Sequence, residues 1–299
     1  MRGSQRVGHG IGSAALVAVV VVAVVGLGVK VGFVRSGGGV LPFASVPVSV
    51  SSAAPTRDPA GPRFPIVTRS SALIDGISAK VYLPLPGSAR RAPERYPVAV
   101  FVPAPGVDPA QYEQLAHDLG GYGLAVVVPS RAPTEFLREV RAWADGVNAD
   151  PGAPAQGLLD PSRLFVVSDG LGAPRLSTPS QVRGVAVYSP GARGVLRPSA
   201  VPTVVVCGSK DPAIQACEVA AVSSVVIDGA GARAITNQAR LGTRGDTPPG
   251  AAREATIARF AQWTALWLLA SVGDAEAVAF YASSSATPPP GVRVRVGAA

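Results

Sequence analysis

Histidine is almost missing from this chain: two residues in 299, His9 and His117, and none beyond position 117. A site that draws its general base from an imidazole in the C-terminal half is thereby excluded. Cysteine is equally scarce, Cys207 and Cys217 being the whole thiol inventory. Two cysteines and two distant histidines give no ligand spacing of the zinc type, so no metal is expected, and nothing in the chain asks for another cofactor. An exported domain could bridge the two cysteines; a buried free thiol is the other reading, because Cys207 ends a strongly apolar run. Charged residues are only 15% of the chain, and lysine numbers 3 against 24 arginines. That skew reflects GC-rich codon usage better than a design for binding phosphate. The net charge of +8 is scattered, with Arg90, Arg91 and Arg95 before one strand and Arg293 and Arg295 near the end. No basic cluster is interleaved with aromatics, so nucleic acid is not an expected partner. Attraction to anionic lipid headgroups is the better use of such a charge on a tethered protein.

What the chain has in excess is Val and Ala, and the first concentration of them is informative. Residues 11–29 are 19 positions without a charge, spanning roughly 28 Å as a helix, close to the hydrocarbon thickness of a bilayer. A cleaved signal peptide is the rival. Its apolar region is typically ~7–15 residues and ends in a small-x-small site, whereas this run is longer and continues into Lys30-Val31-Gly32-Phe33. We therefore expect a short N-terminal segment (1–10), a transmembrane anchor (11–34) and a Gly/Ser/Pro-rich linker (35–63). Arg2 and Arg6 marginally outweigh Lys30 and Arg35, which places the N-terminus inside and the bulk of the chain outside the cytoplasmic membrane.

From Phe64 the texture becomes that of a folded domain, expected over 64–282. Residues 66–68 and 77–83 flank Asp75-Gly76, a hairpin signal. Residues 98–102, 124–128, 164–167, 182–188, 203–207 and 222–227 read as strands, most of them solidly apolar as strands buried on both faces are. Between and after them, 110–119, 134–147 (with Thr134 as N-cap) and 253–272 read as helices. The expected architecture is α/β: a mostly parallel central sheet with helices on both faces. The uncharged part of the last helix, 260–272, is too short to cross a bilayer and is expected to pack on the sheet. Trp143, Trp263 and Trp267 lie on helices at core-packing spacings. Residues 283–299, with Pro288-Pro289-Pro290, are expected to form a disordered tail.

One turn concentrates the chemistry. Residues 160–173 read Asp-Pro-Ser-Arg-Leu-Phe-Val-Val-Ser-Asp-Gly-Leu-Gly-Ala, an apolar strand running into a small-residue turn. Three further stretches accompany it: 98–112, with Pro103-Ala104-Pro105-Gly106 after a buried strand; 119–129, with Gly121-Tyr122-Gly123-Leu124; and 201–212, ending Cys207-Gly208-Ser209-Lys210-Asp211-Pro212. In this order and spacing the chain resembles the α/β-hydrolase fold, in its dienelactone-hydrolase-like, cutinase-like and polyester-hydrolase-like branch, over roughly 64–282. In that family the strand-to-helix turn is written G-x-S-x-G. The resemblance puts Ser168 at the first glycine, Asp169 at the variable position, Gly170 at the nucleophile and Gly172 at the last glycine. Asp211 falls at the acid. Ala232, in Asp228-Gly229-Ala230-Gly231-Ala232-Arg233, falls at the histidine, and Pro105, which has no N–H, at an oxyanion donor.

The resemblance thus implies a hydrolase fold without the family's nucleophile, base or one oxyanion donor. Loss of the nucleophile or histidine typically costs on the order of 10⁶ in turnover. The expected function is binding: a membrane-anchored, catalytically inactive hydrolase-like protein of the bacterial envelope that takes a lipid or ester-like ligand, or an envelope protein, in the remnant cleft. Two alternatives stay open. One is a carboxylic-ester hydrolase in which Ser168 attacks and Asp169 serves as base; the other is an envelope scaffold. Each named residue also has a purely local reading: Asp211 as a helix cap followed by Pro212, Ser168 and Asp169 as makers of backbone hydrogen bonds, Gly170 as relief of turn strain, and His117 as a solvated helix residue.

Overall fold

The computed structural model describes residues 61–85, 95–170, 182–190, 200–219, 222–237 and 251–297, all within one compact unit, Pro55–Ala299. The expected N-terminal segment and anchor, the linker before residue 61, and Gly172 lie outside the described residues. Arg63, assigned to the linker, belongs to the fold. Its N–H and that of Phe64 both donate to the Gly121 carbonyl, at 2.7 and 2.8 Å, and its guanidinium grips Asp274.

The domain opens with a hairpin, β1 (Ile66–Ile74) and β2 (Ile77–Leu85). Asp75 and Gly76 both take positive φ, 48° and 71°, the backbone that closes a two-residue hairpin with the right twist. There follow β3 (Tyr96–Val102), a short 3₁₀ turn (Pro109–Tyr112), α1 (Glu113–Gly121), β4 (Ala125–Pro129), α2 (Phe136–Ala149), β5 (Leu159–Asp169), β6 (Val182–Tyr188), β7 (Thr203–Gly208), α3 (Ile214–Val219), β8 (Ser223–Ile227), α4 (Ala251–Ser271), α5 (Ala275–Ala286) and β9 (Val292–Arg295). The nine strands form one sheet in the order β1-β2-β4-β3-β5-β6-β7-β8-β9. The run from β4 to β8 is parallel throughout; β1, β2 and β9 are antiparallel to their neighbours.

Strand alternation divides the core between the two faces. On β3 and β5, Ala99, Phe101, Phe165 and Val167 face a layer built from α1, α4 and α5. Val98, Val100, Leu164 and Val166 face the other layer, with Phe136, Leu137 and Val140 of α2 and Cys217 of α3. All eight are completely or almost completely buried, which is why these strands carry apolar residues at consecutive positions. Trp263 and Trp267 lie in the first layer, and Trp143 packs against the second. Among the described residues no single helix is long and apolar enough to cross a membrane. α4 is a core helix: it runs antiparallel to β6, with Leu268 and Trp267 over Gly184 and Thr264 hydrogen-bonded to Tyr188.

Two expectations need correction, and the pairing of the cysteines, left open by the sequence, is resolved. Residues 283–299 do not begin a disordered tail: α5 runs on to Ala286, and β9 pairs with β8 in register from Ile227–Val292 to Ser224–Arg295. Val292 fills the core while Arg293 and Arg295 stand outward, so a four-residue strand closes the sheet with a charged edge. Asp274 caps α5 by accepting from the Ala277 N–H at 2.9 Å, and Arg63 holds that carboxyl below the usual carboxylate range. Thr134 is not the cap of α2; Glu135 occupies that position without a side-chain hydrogen bond. The cysteines are joined, Cys207 of β7 to Cys217 of α3. The bridge ties down the turn between them, which contains Asp211.

Removing this bridge with a Cys207→Ala/Cys217→Ala pair should lower the free energy of unfolding by about 2–3 kcal/mol, as expected for closure of so short a loop. Urea melts of the full chain check it; coincident curves would mean the bridge adds nothing to stability.

Candidate functional site

Because β3, β5, β6, β7 and β8 are parallel, the segments that follow them gather at one edge of the sheet, the carboxyl edge where open α/β sheets hold their ligands. The residues singled out from sequence fall there. Gly170 follows β5 directly, with φ of +74°. Its N–H donates to the Tyr188 carbonyl at 2.7 Å. Among the described residues, a Cβ at this position would meet nothing nearer than the Ser189 carbonyl oxygen, 4.0 Å away. The position requires a left-handed backbone, which costs a residue with a side chain about 1–2 kcal/mol.

Ser168 and Asp169 are adjacent on β5 and so point to opposite faces of the sheet. Ser168 is wholly buried, and its hydroxyl donates to the Gly170 carbonyl at 2.9 Å. Asp169 turns to the α1/α4 side, where the Tyr112 hydroxyl donates to its Oδ2 at 2.7 Å. The same hydroxyl accepts the Ala104 N–H at 3.3 Å. The N–H next to Pro105 is therefore already taken, and Pro105 supplies none. The chain of bonds Ala104–Tyr112–Asp169 thus ties the turn after β3 to the tip of β5.

Asp169 is the perturbed acid of this edge. Burial is the main cause, pushing its pKa up to about 6; Asp211 pushes the same way, and the Tyr112 hydrogen bond and the Arg233 charge oppose them. Burial, and then the Asp169 charge, likewise drive the Tyr112 hydroxyl upward. Asp211 is 3% exposed. Its Oδ1 accepts the Ala213 N–H at 2.8 Å, just before α3. Its Oδ2 is buried with no partner among the described residues.

Ala232 is brought beside these groups by the lacing of two turns. Lys210 donates its N–H to the Ala230 carbonyl at 2.8 Å, Ser209 donates its own to Ile227 at 2.9 Å, and Gly229 donates to the Ser209 hydroxyl at 2.9 Å. A Cβ on Gly208 would collide with the Ala230 carbonyl. The Ala232 carbonyl in turn accepts from Ser189, a residue held at φ of +45°. Ala232 offers only a methyl group. His117 sits apart from these contacts, half exposed on α1 beside Asp118.

Gly170, Asp169, Asp211 and Ala232 therefore share one edge. Tyr112, Ser189 and Arg233 belong with them and were missed from sequence. Ser189 had a weak signal, in that it ends an apolar strand as Ser168 nearly does. Tyr112 had none, since an aromatic on a helix reads as core. Among the described residues no group of three or more His, Cys, Asp or Glu is placed to hold a metal ion. Compared with protein-family models and with curated proteins, the chain matches none.

Because the folded state raises the pKa of Asp169 from 3.8 to about 6, the folded protein keeps a proton that the unfolded chain releases. Stability from this group is full below about pH 4, falls as pH rises, and is lower by up to about 3 kcal/mol above about pH 6. Asp169→Asn, which keeps an acceptor for Tyr112, should abolish that decline. Denaturation of both proteins from about pH 4 to about pH 8 should show the mutant gaining on the wild type as pH rises; parallel profiles would place the Asp169 pKa near its ordinary value.

Proposed function

We propose that this chain is a membrane-anchored α/β-hydrolase-like protein that acts at the cell envelope by binding a ligand or partner in the cleft where its relatives in fold would hydrolyse esters. The observation that carries the reading is the tip of β5. Gly170 occupies the turn that in this fold presents the nucleophile, in the left-handed backbone such a turn demands, with no side chain to offer. The surrounding groups support it. The segment after β3, which would contribute an oxyanion donor, has Pro105 and an Ala104 N–H already bound to Tyr112. The segment after β8 has Ala232 where a base would stand. Asp211 alone of the four keeps a suitable side chain.

Glycine at 170 also has a thermodynamic logic. A serine there would carry the left-handed backbone cost, and a site released from catalysis is free to shed it. The Cys207–Cys217 bridge supports a domain outside the cytoplasm, since disulfides persist in oxidising compartments. The uncharged run at 11–29 would supply the anchor, and the lipid bilayer is then the first partner. Lipid or ester-like molecules are the ligand class that the fold resemblance favours.

A fluorophosphonate probe, which needs an activated serine, should leave the intact chain unlabelled. Gly170→Ser should remain unlabelled as well, because neither base nor second donor is restored. Labelling of the wild type that Ser168→Ala abolishes would overturn the reading in favour of the esterase alternative.

A further inference from the structure

The two outer strands of the sheet are built differently. β9 is four residues long, and its Arg293 and Arg295 put charge on an edge that would otherwise invite further pairing. β1 is nine residues long and lies at the opposite edge. It lacks the usual protections. No proline interrupts it, and its register with β2 runs without a bulge from Ile66–Leu85 to Ile74–Ile77. Its one charge, Arg69, is taken up by Glu113 of α1. Among the described residues no strand pairs with its outer side.

The register shows what that outer side presents. Ile74 and Ile77 close the two-residue turn as a hydrogen-bonded pair, and such pairs alternate along an antiparallel ladder. Bonding to β2 therefore falls at the even-numbered positions of β1. The N–H and C=O groups of Val67, Arg69, Ser71 and Leu73 point away from the sheet. The two ends of the strand also hold large apolar side chains in water, Ile66 at 53% exposure and Leu73 at 72%. Free backbone groups between exposed apolar ends form a template for another strand.

The strand that fits is a second copy of β1. Antiparallel pairing of identical strands puts a twofold axis on the ladder, and an axis at Ser70 alone pairs all nine residues. In that register Leu73 lies opposite Val67 of the second copy, a residue that packs over Gly120 of α1. Ile66 lies opposite Ile74, which belongs to the core. Each exposed apolar end thus meets an apolar residue. Arg69 faces Ser71, so no like charges meet, whereas an axis at Arg69 would set two arginines face to face. The outward-pointing residues face one another and exchange two hydrogen bonds per pair, and Ser70 meets its own copy. We propose that this chain forms a homodimer by antiparallel pairing of β1 with β1 about Ser70, which joins two sheets into one. The dimer lies beyond the binding function above and does not rest on it.

Sedimentation of the full chain in detergent micelles should show a dimer with a dissociation constant on the order of 1–100 μM, since paired edges bury less than a standard interface. Ser70 is exposed, so a charge there disturbs neither the core nor the pairing with β2. Ser70→Lys and Ser70→Glu should each weaken the dimer at least about tenfold, because each sets a charge against its own copy. An equimolar mixture of the two variants should restore it. Ser70→Cys should cross-link to its own copy under mild oxidation, since a facing pair of this kind lies within disulfide reach. Ser71→Cys, displaced from its own copy by two positions, should not. The cross-link decides the matter if the charged variants do not fold. A wild type that stays monomeric up to about 100 μM overturns the inference, and is the result expected if another segment of the chain covers β1. Dimers that form equally well with Ser70→Lys and Ser70→Glu overturn it too, and would locate the association elsewhere in the chain.

Discussion

The contact on which the candidate site depends is the approach of β7 to the turn after β8. Gly208 lies so close to the Ala230 carbonyl that no side chain fits between them, and the next two residues, Ser209 and Lys210, are hydrogen-bonded to Ile227 and Ala230. Glycine is required at 208 for space, whereas at 170 it is required for backbone conformation. The first brings the turns bearing Asp211 and Ala232 together; the second lets β5 end in a left-handed residue at the same edge. The disulfide from Cys207 to Cys217 then closes the segment that bears Asp211. A backbone fastened this firmly holds its side chains in fixed relation whether or not they carry out a reaction.

What is fastened is an edge that carries two buried acids, Asp169 and Asp211. Tyr112 spends its proton on Asp169 and its lone pair on Ala104, which removes a carboxylate oxygen and a backbone N–H from service together. Asp169 is left buried enough to hold its proton to about pH 6, an arrangement that lowers stability at neutral pH. Buried acids that cost stability are common where a fold keeps a site. Here that fits the proposed binding role better than the envelope-scaffold alternative.

The central strands could be read from the sequence because residues buried on both faces leave unbroken apolar runs; residues 98–102 and 182–188 lie wholly within β3 and β6. The turn at Asp75-Gly76 was legible from its own residues. The end of the domain was not. Val292-Arg293-Val294-Arg295 follows three prolines and is strand only because β8 offers an unpaired edge. α5, with Ser283-Ser284-Ser285 in its last turn, owes its place to a cap and an ion pair with Arg63, 211 positions away. The same division holds at the site. Gly170, Asp211, Ala232 and Pro105 could be named only through the local stretches that carry the fold resemblance. Tyr112, Ser189 and Arg233 join them only through the crossing of distant segments, and the orphaned oxygen of Asp211 is a property of three-dimensional surroundings that no local pattern encodes.

The proposed function turns on whether this edge, with Gly170 and Ala232 at the positions where the fold resemblance would put a nucleophile and a base, accelerates ester cleavage. The direct measurement is the rate at which the intact chain hydrolyses a p-nitrophenyl ester from acid to mildly alkaline pH, compared with Asp211→Ala and Ser168→Ala. The account predicts no saturable rate above that of protein-free buffer, and no difference among the three proteins. A saturable rate that either substitution removes would contradict it.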